Sequence, residues 1–398
     1  MSTDLSPLDA AARLLVEAEL TVESGGGRFQ STGFPDLGPA LFRGADGADW
    51  LLVESPQSMA NRLELACWDE AAERFDPVCD GIPFVRSEVT VGGKNSVTST
   101  VQESHRLASP YILDGALKEN GKKRLWEILK SSSTHPKGLG LVENRPFLLR
   151  NHASQLLKLD PGSLLHGVWL STKVEGSGRQ KKALCGGKVR FPRMLSAYIE
   201  AQSPQLVNSG GVKRERILDQ AESGTTDAES GFGSIPFPRT EFTSPNLRAF
   251  FSLDLQLLRT LALGEREDRR ENEMTKRVPK DQALKQGQGD FTNEEAFLIV
   301  WALYKIDRFL SRGLTLRSNC RLTRRATHVR SPEGFLWPTD LESLLTTLRG
   351  ELFEINDAEG NDWKKRNVLT VEWSGALPPD DSAVPVEGQS AVEGNSNQ

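Results

Sequence analysis

Leu14-Leu-Val-Glu-Ala-Glu-Leu-Thr-Val22 sets Leu14, Val16, Ala18, Leu20 and Val22 against Glu17, Glu19 and Thr21. Apolar residues at every second position mark a strand with one buried face, because successive strand side chains point to opposite sides. The Ala- and Glu-rich composition would also tolerate a helix. Gly25-Gly-Gly-Arg-Phe29 breaks the pattern, and Trp50–Val53 can form a second short strand. A helix then starts cleanly: Ser55 suits the N-cap, Pro56 the first helical position, and Met59, Leu63, Ala66 and Cys67 form an apolar stripe.

Val89 to Val101 reads as a hairpin around Gly92-Gly-Lys-Asn95, and Lys122–Lys130 and Pro146–Lys158 read as helical patches. Asp160-Pro-Gly-Ser163 turns the chain into a strand-like Leu164–Ser171. A Gly/Lys loop, Gly176 to Gly187, leads to Lys188–Phe191 and a helix expected over Arg193–Gln202. Phe251–Leu257 is strand-like. Phe291–Leu310 is apolar on several faces, with Phe297, Val300, Trp301 and Tyr304 at helical spacing, which predicts a buried helix. Gly313 stops it, and Leu314, Leu316 and Leu322 suggest a strand. Long loops between short pieces predict one elaborated α+β domain over residues 1–375. A charged, solvated insertion is expected at about 265–290, and a disordered acidic tail at 376–398.

The chain has 398 residues, 26% of them charged, and a formal net charge of −5, which excludes a globally basic nucleic-acid binder. The charge is unevenly spread. Lys305, Arg308, Arg312, Arg317, Arg321, Arg324, Arg325 and Arg330 face one acid, Asp307, within a short run. Lys173 to Arg193 holds seven cations against Glu175. Such clusters predict a local electrostatic footprint for an anion. Ser209-Gly-Gly-Val-Lys-Arg-Glu-Arg-Ile217 adds a third basic patch: Gly210 and Gly211 free the backbone, and Lys213, Arg214 and Arg216 follow. With the polar run Asp219–Ser234 behind it, this stretch reads as an exposed basic protrusion.

Signals for chemistry are scarce. Cys67, Cys79, Cys185 and Cys320 show no C-x-x-C spacing and no nearby histidine pairing, so neither a zinc site nor a disulfide framework is indicated. Nucleophile-elbow, metalloprotease and P-loop motifs are absent. No metal, cofactor or catalytic residue is therefore expected. Among the five histidines, His105 and His166 could bond a phosphate or a base. The N-terminus lacks a basic region followed by an apolar one, and no apolar run reaches the roughly 18 residues of a membrane span. A cytoplasmic protein with no membrane partner is expected.

Several ordered phrases point to one family. They are Phe29-Gln-Ser-Thr-Gly-Phe-Pro-Asp-Leu-Gly38, Glu54-Ser-Pro-Gln-Ser-Met-Ala-Asn-Arg-Leu63, Ser104-His-Arg-Leu107 and Ser163-Leu-Leu-His-Gly-Val168. Phe191-Pro-Arg-Met-Leu-Ser-Ala-Tyr-Ile-Glu200, Ser209-Gly-Gly-Val-Lys213 and Phe237-Pro-Arg-Thr-Glu-Phe242 complete the set. Together they resemble the CRISPR-associated RAMP protein that forms the backbone of type I-G (formerly I-U) Cascade complexes. The resemblance implies a ferredoxin-like, RRM-related palm with large insertions, one of them a thumb at about 205–242.

It also implies a function: guide-RNA binding, with copies polymerising along the spacer to present it for target DNA pairing. The implied partners are the guide CRISPR RNA, target DNA through the guide, further copies of the chain, the large subunit, the guide-processing subunit and a recruited helicase-nuclease. In related subunits the helix after the first strand opens with a Ser/Gln-and-basic pattern that contacts guide phosphates. Gln57, Ser58, Asn61 and Arg62 match it, with Asn61 where a cation is common. Arg28 and Phe29 offer a cation and a stacking ring. His105, Arg106, His166, Arg193, Gly210, Gly211, Lys213, Arg214, Arg216, Arg317 and Arg321 complete the RNA-contact set. The rival reading is an endoribonuclease, since RAMP relatives cleave target RNA through a thumb aspartate (Asp219 or Asp227 here) or process guides through a histidine.

Overall fold

The computed structural model describes residues 3–375, except 24, 35–37, 119–122, 131–137, 143–144, 171–172, 176–179, 183–188, 215–233, 265–288 and 354–366. The expected acidic tail and nearly all of the expected charged insertion therefore lie outside the described residues, as do Arg216, Asp219 and Asp227.

The Leu14–Val22 alternation becomes strand β1 (Arg13–Val22), with Leu14, Val16, Ala18 and Leu20 buried. Six further strands join it: β2 (Leu41–Arg43), β3 (Asp49–Glu54), β8 (Leu195–Gln202), β11 (Asn246–Asp254), β12 (Leu314–Arg317) and β13 (Cys320–Ser331). Their order is β12-β13-β1-β11-β8-β3-β2, antiparallel at every step. Register makes one continuous apolar face: Ala18 lies opposite Ala249, Val16 opposite Phe251, and Ala197 and Ile199 continue the rows on β8. Since strand side chains alternate, a slip of one residue would turn every one of these groups outward.

Two helices cover that face. Helix α1 (Pro56–Leu65) starts at Ser55, whose hydroxyl accepts from the Ser58 N–H, and it packs on β8. Helix α4 (Asn293–Ser311) opens with a capping box between Thr292 and Glu295 and packs on β11, β13 and α1. It is buried on almost every side, as its all-round apolar sequence requires. Following the chain, β1–α1–β8–β11–α4–β13 places the four central strands in the order β13-β1-β11-β8, with α1 in the first crossover and α4 in the second. Nearly all of the described buried apolar residues form one cluster.

A smaller sheet flanks this core. Strands β4 (Phe84–Val91) and β5 (Lys94–Ser99) make the expected hairpin, turning at Gly92 and Gly93, both at positive φ. The C-terminal strand β14 (Val368–Trp373) pairs parallel to β4, an element the sequence reading did not foresee. Strands β9 (Gln205–Arg214) and β10 (Ser234–Thr243) form a two-stranded sheet of their own, within the span assigned to a thumb, with Gly210 opposite Pro238.

Three expectations need correction. Of Arg193–Gln202, Leu195–Gln202 is strand β8 and no part is a helix. Leu195, Ala197, Ile199 and Ala201 are buried in strict alternation, and ladders on both edges override the helix propensity of Leu, Ala and Glu. Leu164–Ser171 is not one strand: helix α3 (Gly162–His166) follows helix α2 (Leu149–Leu159), and only β6 (Val168–Leu170) is extended, pairing with β7 (Val189–Phe191). The strand read at Phe251–Leu257 ends at Asp254, whose carboxylate accepts from the Leu257 N–H and caps a short helix.

Phe29 is also not a free stacking ring. It is fully buried, and its backbone exchanges hydrogen bonds of 2.9 and 2.8 Å with Phe242 at the base of the β9–β10 hairpin. Phe29→Ala should therefore cost about 3–5 kcal/mol in chemical denaturation. Arg28→Ala, which truncates a half-exposed side chain, should stay within about 0.5 kcal/mol. Equal losses would contradict the burial of Phe29.

Candidate nucleic-acid interface

Pro56 fixes the first turn of α1 and leaves Gln57 exposed at its N-terminus. Arg193, in the link from β7 to β8, binds that turn. Its guanidinium donates to Pro56 O at 2.8 Å, to Gln57 Oε1 at 3.0 Å and to His166 O at 3.4 Å. One cation thus joins the start of α1 to the end of α3. Gly167 makes the turn after α3 possible. At φ +78° it lies in the left-handed region, and a Cβ there would sit 2.9 Å from Arg193 N and 3.0 Å from Phe191 O.

Ser104-His-Arg-Leu107 approaches from the other side. Arg106 adopts φ +52°, and its buried guanidinium meets the buried Glu64 carboxylate of α1 bidentately, at 2.8 and 2.5 Å. This pair pins the short 3-10 turn and leaves His105 exposed. The resulting pocket has a volume of about 870 Å³ and is lined by Gln57, His105, Arg106, His166 and Arg193. Five residues drawn from four separate phrases of the sequence meet here.

His166 is the least ordinary of them. It is buried, and its Nε2 lies 3.2 Å from Lys305 Nζ of α4. Burial, then the nearby Lys305, Arg106 and Arg193, hold its pKa well below the usual 6.5. The ring is neutral, and a lysine ammonium can only donate, so Nε2 accepts and Nδ1 carries the proton. Among the described residues that Nδ1–H has no hydrogen-bond partner. A buried donor without an acceptor is costly. The positive end of the α1 dipole and the Arg193 guanidinium give the pocket a field that favours an anion.

The other expected contact residues are distributed differently. Ser58 stays in the first turn of α1, its N–H on the Ser55 hydroxyl at 3.3 Å, and Asn61 follows half-buried one turn on. Arg62 and Arg317 face protein. Both bind the buried Glu54 carboxylate, at 3.1 and 2.9 Å, and donate to backbone carbonyls of Leu316, Gln30 and Val53. Arg28 and Arg321 line a second pocket of about 400 Å³ beside Glu241, Ser318 and Asn319. Gly210, Gly211, Lys213 and Arg214 lie on the β9 strand, in register with β10.

The run Lys305–Arg330 is mostly internal bookkeeping of charge. Lys305 is buried, Arg308 meets Asp76, Arg324 meets Asp307 and Arg330 meets Glu17.

Sequence reasoning missed two residues of the pocket wall. Trp169 and Arg190 are exposed and face each other in register across β6 and β7. The alternation Val168-Trp169-Leu170, buried-exposed-buried, was the available signal. It also missed the convergence of Cys67, Asp76 and Cys79, whose donor atoms lie within 4.8 Å of one another.

The His166 environment sets a pH dependence. A histidine held neutral in the fold contributes stability that is complete above its unfolded pKa of 6.5 and lost as the pH falls below it. Glu64 acts oppositely: burial, against the pull of Arg106, pushes its carboxyl from 4.5 up to about 7, so its contribution falls as pH rises through that window. Wild-type curves alone would mix the two. The difference between His166→Gln and wild type isolates the first. Relative to wild type, the variant should gain about 1.4 kcal/mol per pH unit as pH drops from 6.5 toward 5. A pH-independent difference in thermal unfolding would show His166 to be protonated or solvated.

Comparison with known proteins gives one family: residues 14–204, slightly under half of the chain, match the family model described as CRISPR-associated protein GSU0053. No curated protein matches the chain. Among solved structures, a chain titled "CRISPR RNA-guided surveillance complex, pre-nicking" is 10% identical, covers 92% of this chain and 96% of its own, and has a TM-score of 0.34. The crystal structure of Thermofilum pendens Csc2 is 11% identical, covers 92% of this chain and 77% of its own, and has a TM-score of 0.25. The stretch matched by the family model contains β1, α1, the Arg106 turn, α3 and β8, and so every element that forms the pocket.

Proposed function

We propose that this protein is a guide-RNA-binding backbone subunit of a type I CRISPR effector complex. In this reading the strand order β13-β1-β11-β8, with α1 and α4 in the crossovers, is a ferredoxin-like, RRM-related RAMP palm, and the β9–β10 hairpin is the base of its thumb. The single observation that carries the proposal is the pocket at the start of α1, where Gln57, His105, Arg106, His166 and Arg193 converge. Its ligand is the sugar–phosphate backbone of the guide. Arg190 and the α1 N-terminus address phosphate oxygens, Arg193 holds that N-terminus in place, and Trp169 offers a face to a base.

Sequence is then read by base pairing with target DNA rather than by the protein. We assign the chain no catalysis of its own: His166 Nε2 is occupied by Lys305, which leaves the ring no free lone pair to accept a proton. Further copies of the chain, the large and guide-processing subunits and a helicase-nuclease are the partners this role requires. The type I-G assignment rests on the ordered phrases of the sequence.

Binding of single-stranded RNA should weaken with salt by roughly 0.7 in log K per log salt for each phosphate neutralised. Arg190→Ala should flatten the slope by about 0.7, and Trp169→Ala should weaken binding by about 1–3 kcal/mol with the slope unchanged. Arg62→Ala, in a folded variant, should leave the slope as it is because Arg62 is engaged by Glu54. A slope that responds to Arg62 and ignores Arg190 would move the RNA path away from this pocket.

A further inference from the structure

Directly after α1 the chain makes a small hairpin, Trp68–Asp69 pairing with Arg74–Phe75, and its two ends carry Cys67 and Asp76. The Asp76 N–H donates to Cys67 O at 2.9 Å, closing the hairpin. Asp76-Pro-Val-Cys79 then forms a tight turn, with the Cys79 N–H donating to Asp76 O at 3.0 Å and to Asp76 Oδ1 at 3.1 Å. The turn folds Cys79 back onto Cys67. Both thiols are fully buried and free, and Asp76 is buried beside them.

We propose that Cys67, Asp76 and Cys79 bind a structural zinc ion. The two sulfurs and a carboxylate oxygen lie within 4.8 Å of one another. Tetrahedral zinc has bonds of about 2.3 Å to sulfur and about 2.0 Å to oxygen, so its donors sit within that span with little movement. Two thiolates and one carboxylate suit zinc better than magnesium or calcium, which take oxygen ligands. The Asp76-x-x-Cys79 turn supplies two donors from one short loop, and Cys67 supplies the third from the far strand. The fourth position falls to water or to the Tyr304 hydroxyl, which already donates to Asp76 Oδ2 at 3.1 Å.

Charge balance favours the same assignment. Without metal, Asp76 is matched by Arg308, whose Nε lies 3.4 Å from Asp76 Oδ2. Zinc entering the site displaces one proton from each thiol, so two positive charges leave as one dication arrives. The net charge of the buried cluster does not change, and the buried Lys305 ammonium of α4 lies close enough to act on both sulfurs. Burial of all three donors keeps bulk solvent from the ion, which suits a structural role rather than a catalytic one. Its effect is to lock the segment after α1 beneath α4.

The test uses the full chain, purified without chelator. Elemental analysis should find one zinc per chain, and exchange for cobalt should produce an intense thiolate-to-cobalt charge-transfer absorption. The Cys67→Ala/Cys79→Ala variant should lose both. Chelation should lower the thermal midpoint of the wild type and leave that of the double variant unchanged. Because the cobalt spectrum is read on the wild type, poor folding of the variant does not protect the proposal. Metal at background level with no cobalt–thiolate band would overturn it. So would the loss of two titratable thiols in denatured, unreduced protein, mapped by mass spectrometry to a Cys67–Cys79 disulfide.

Discussion

Lys305 follows the apolar run Ala296–Tyr304 of the buried helix α4 and is 1% exposed. A charge in such a place is expensive unless its surroundings are arranged around it. The arrangement is visible: its ammonium meets His166 Nε2 at 3.2 Å and lies 4.2 Å from the centre of the Trp301 ring. The Glu64 carboxylate is near enough to offset the charge. Glu64 in turn holds Arg106, and Arg106 holds the turn that carries His105. The floor of the pocket is therefore a chain of buried charges from α4 and α1, each depending on the next. Removing one partner of such a pair strands the other, at a cost of about 3–5 kcal/mol.

A second buried carboxylate explains why basic stretches of the sequence are poor guides to free cations. Glu54, at the end of β3, gathers Arg62 from α1 and Arg317 from β12, and the same guanidinium groups take up backbone carbonyls. Those arginines join helix, strand and loop. Arg190, by contrast, stands exposed on the pocket wall, and Arg193 spends its donors on orienting Pro56, Gln57 and His166. A count of positive residues along the chain cannot separate these roles, because it does not see which acids lie opposite in space.

Local signals were legible where one physical cause dominated. The two-residue period of Leu14–Val22, the Ser55-Pro56 cap and the apolar run of Phe291–Leu310 all gave the element observed. The reading failed at Leu195–Gln202, where helix-forming residues lie in an interior strand and pairing on both edges decides. For the site, His105, Arg106, His166 and Arg193 could be chosen from their phrases, yet their meeting depends on α1, α3 and α4 packing together. Phe29 shows the opposite error: a ring beside three glycines looks exposed, but its backbone bond to Phe242 draws it into the core. Cys67, Asp76 and Cys79 escaped notice because an aspartate stands where the first cysteine of a C-x-x-C pair would be.

The proposed role places guide RNA in the pocket at the start of α1. Photochemical cross-linking of RNA to the protein, followed by mass spectrometry of the linked peptides, tests this most directly. The prediction is adducts on the peptides that contain His105 and Trp169, on repeat-flanked spacer RNA that co-purifies with the chain. Adducts confined to the edge strand around Leu41–Arg43, or protein free of such RNA, would contradict it.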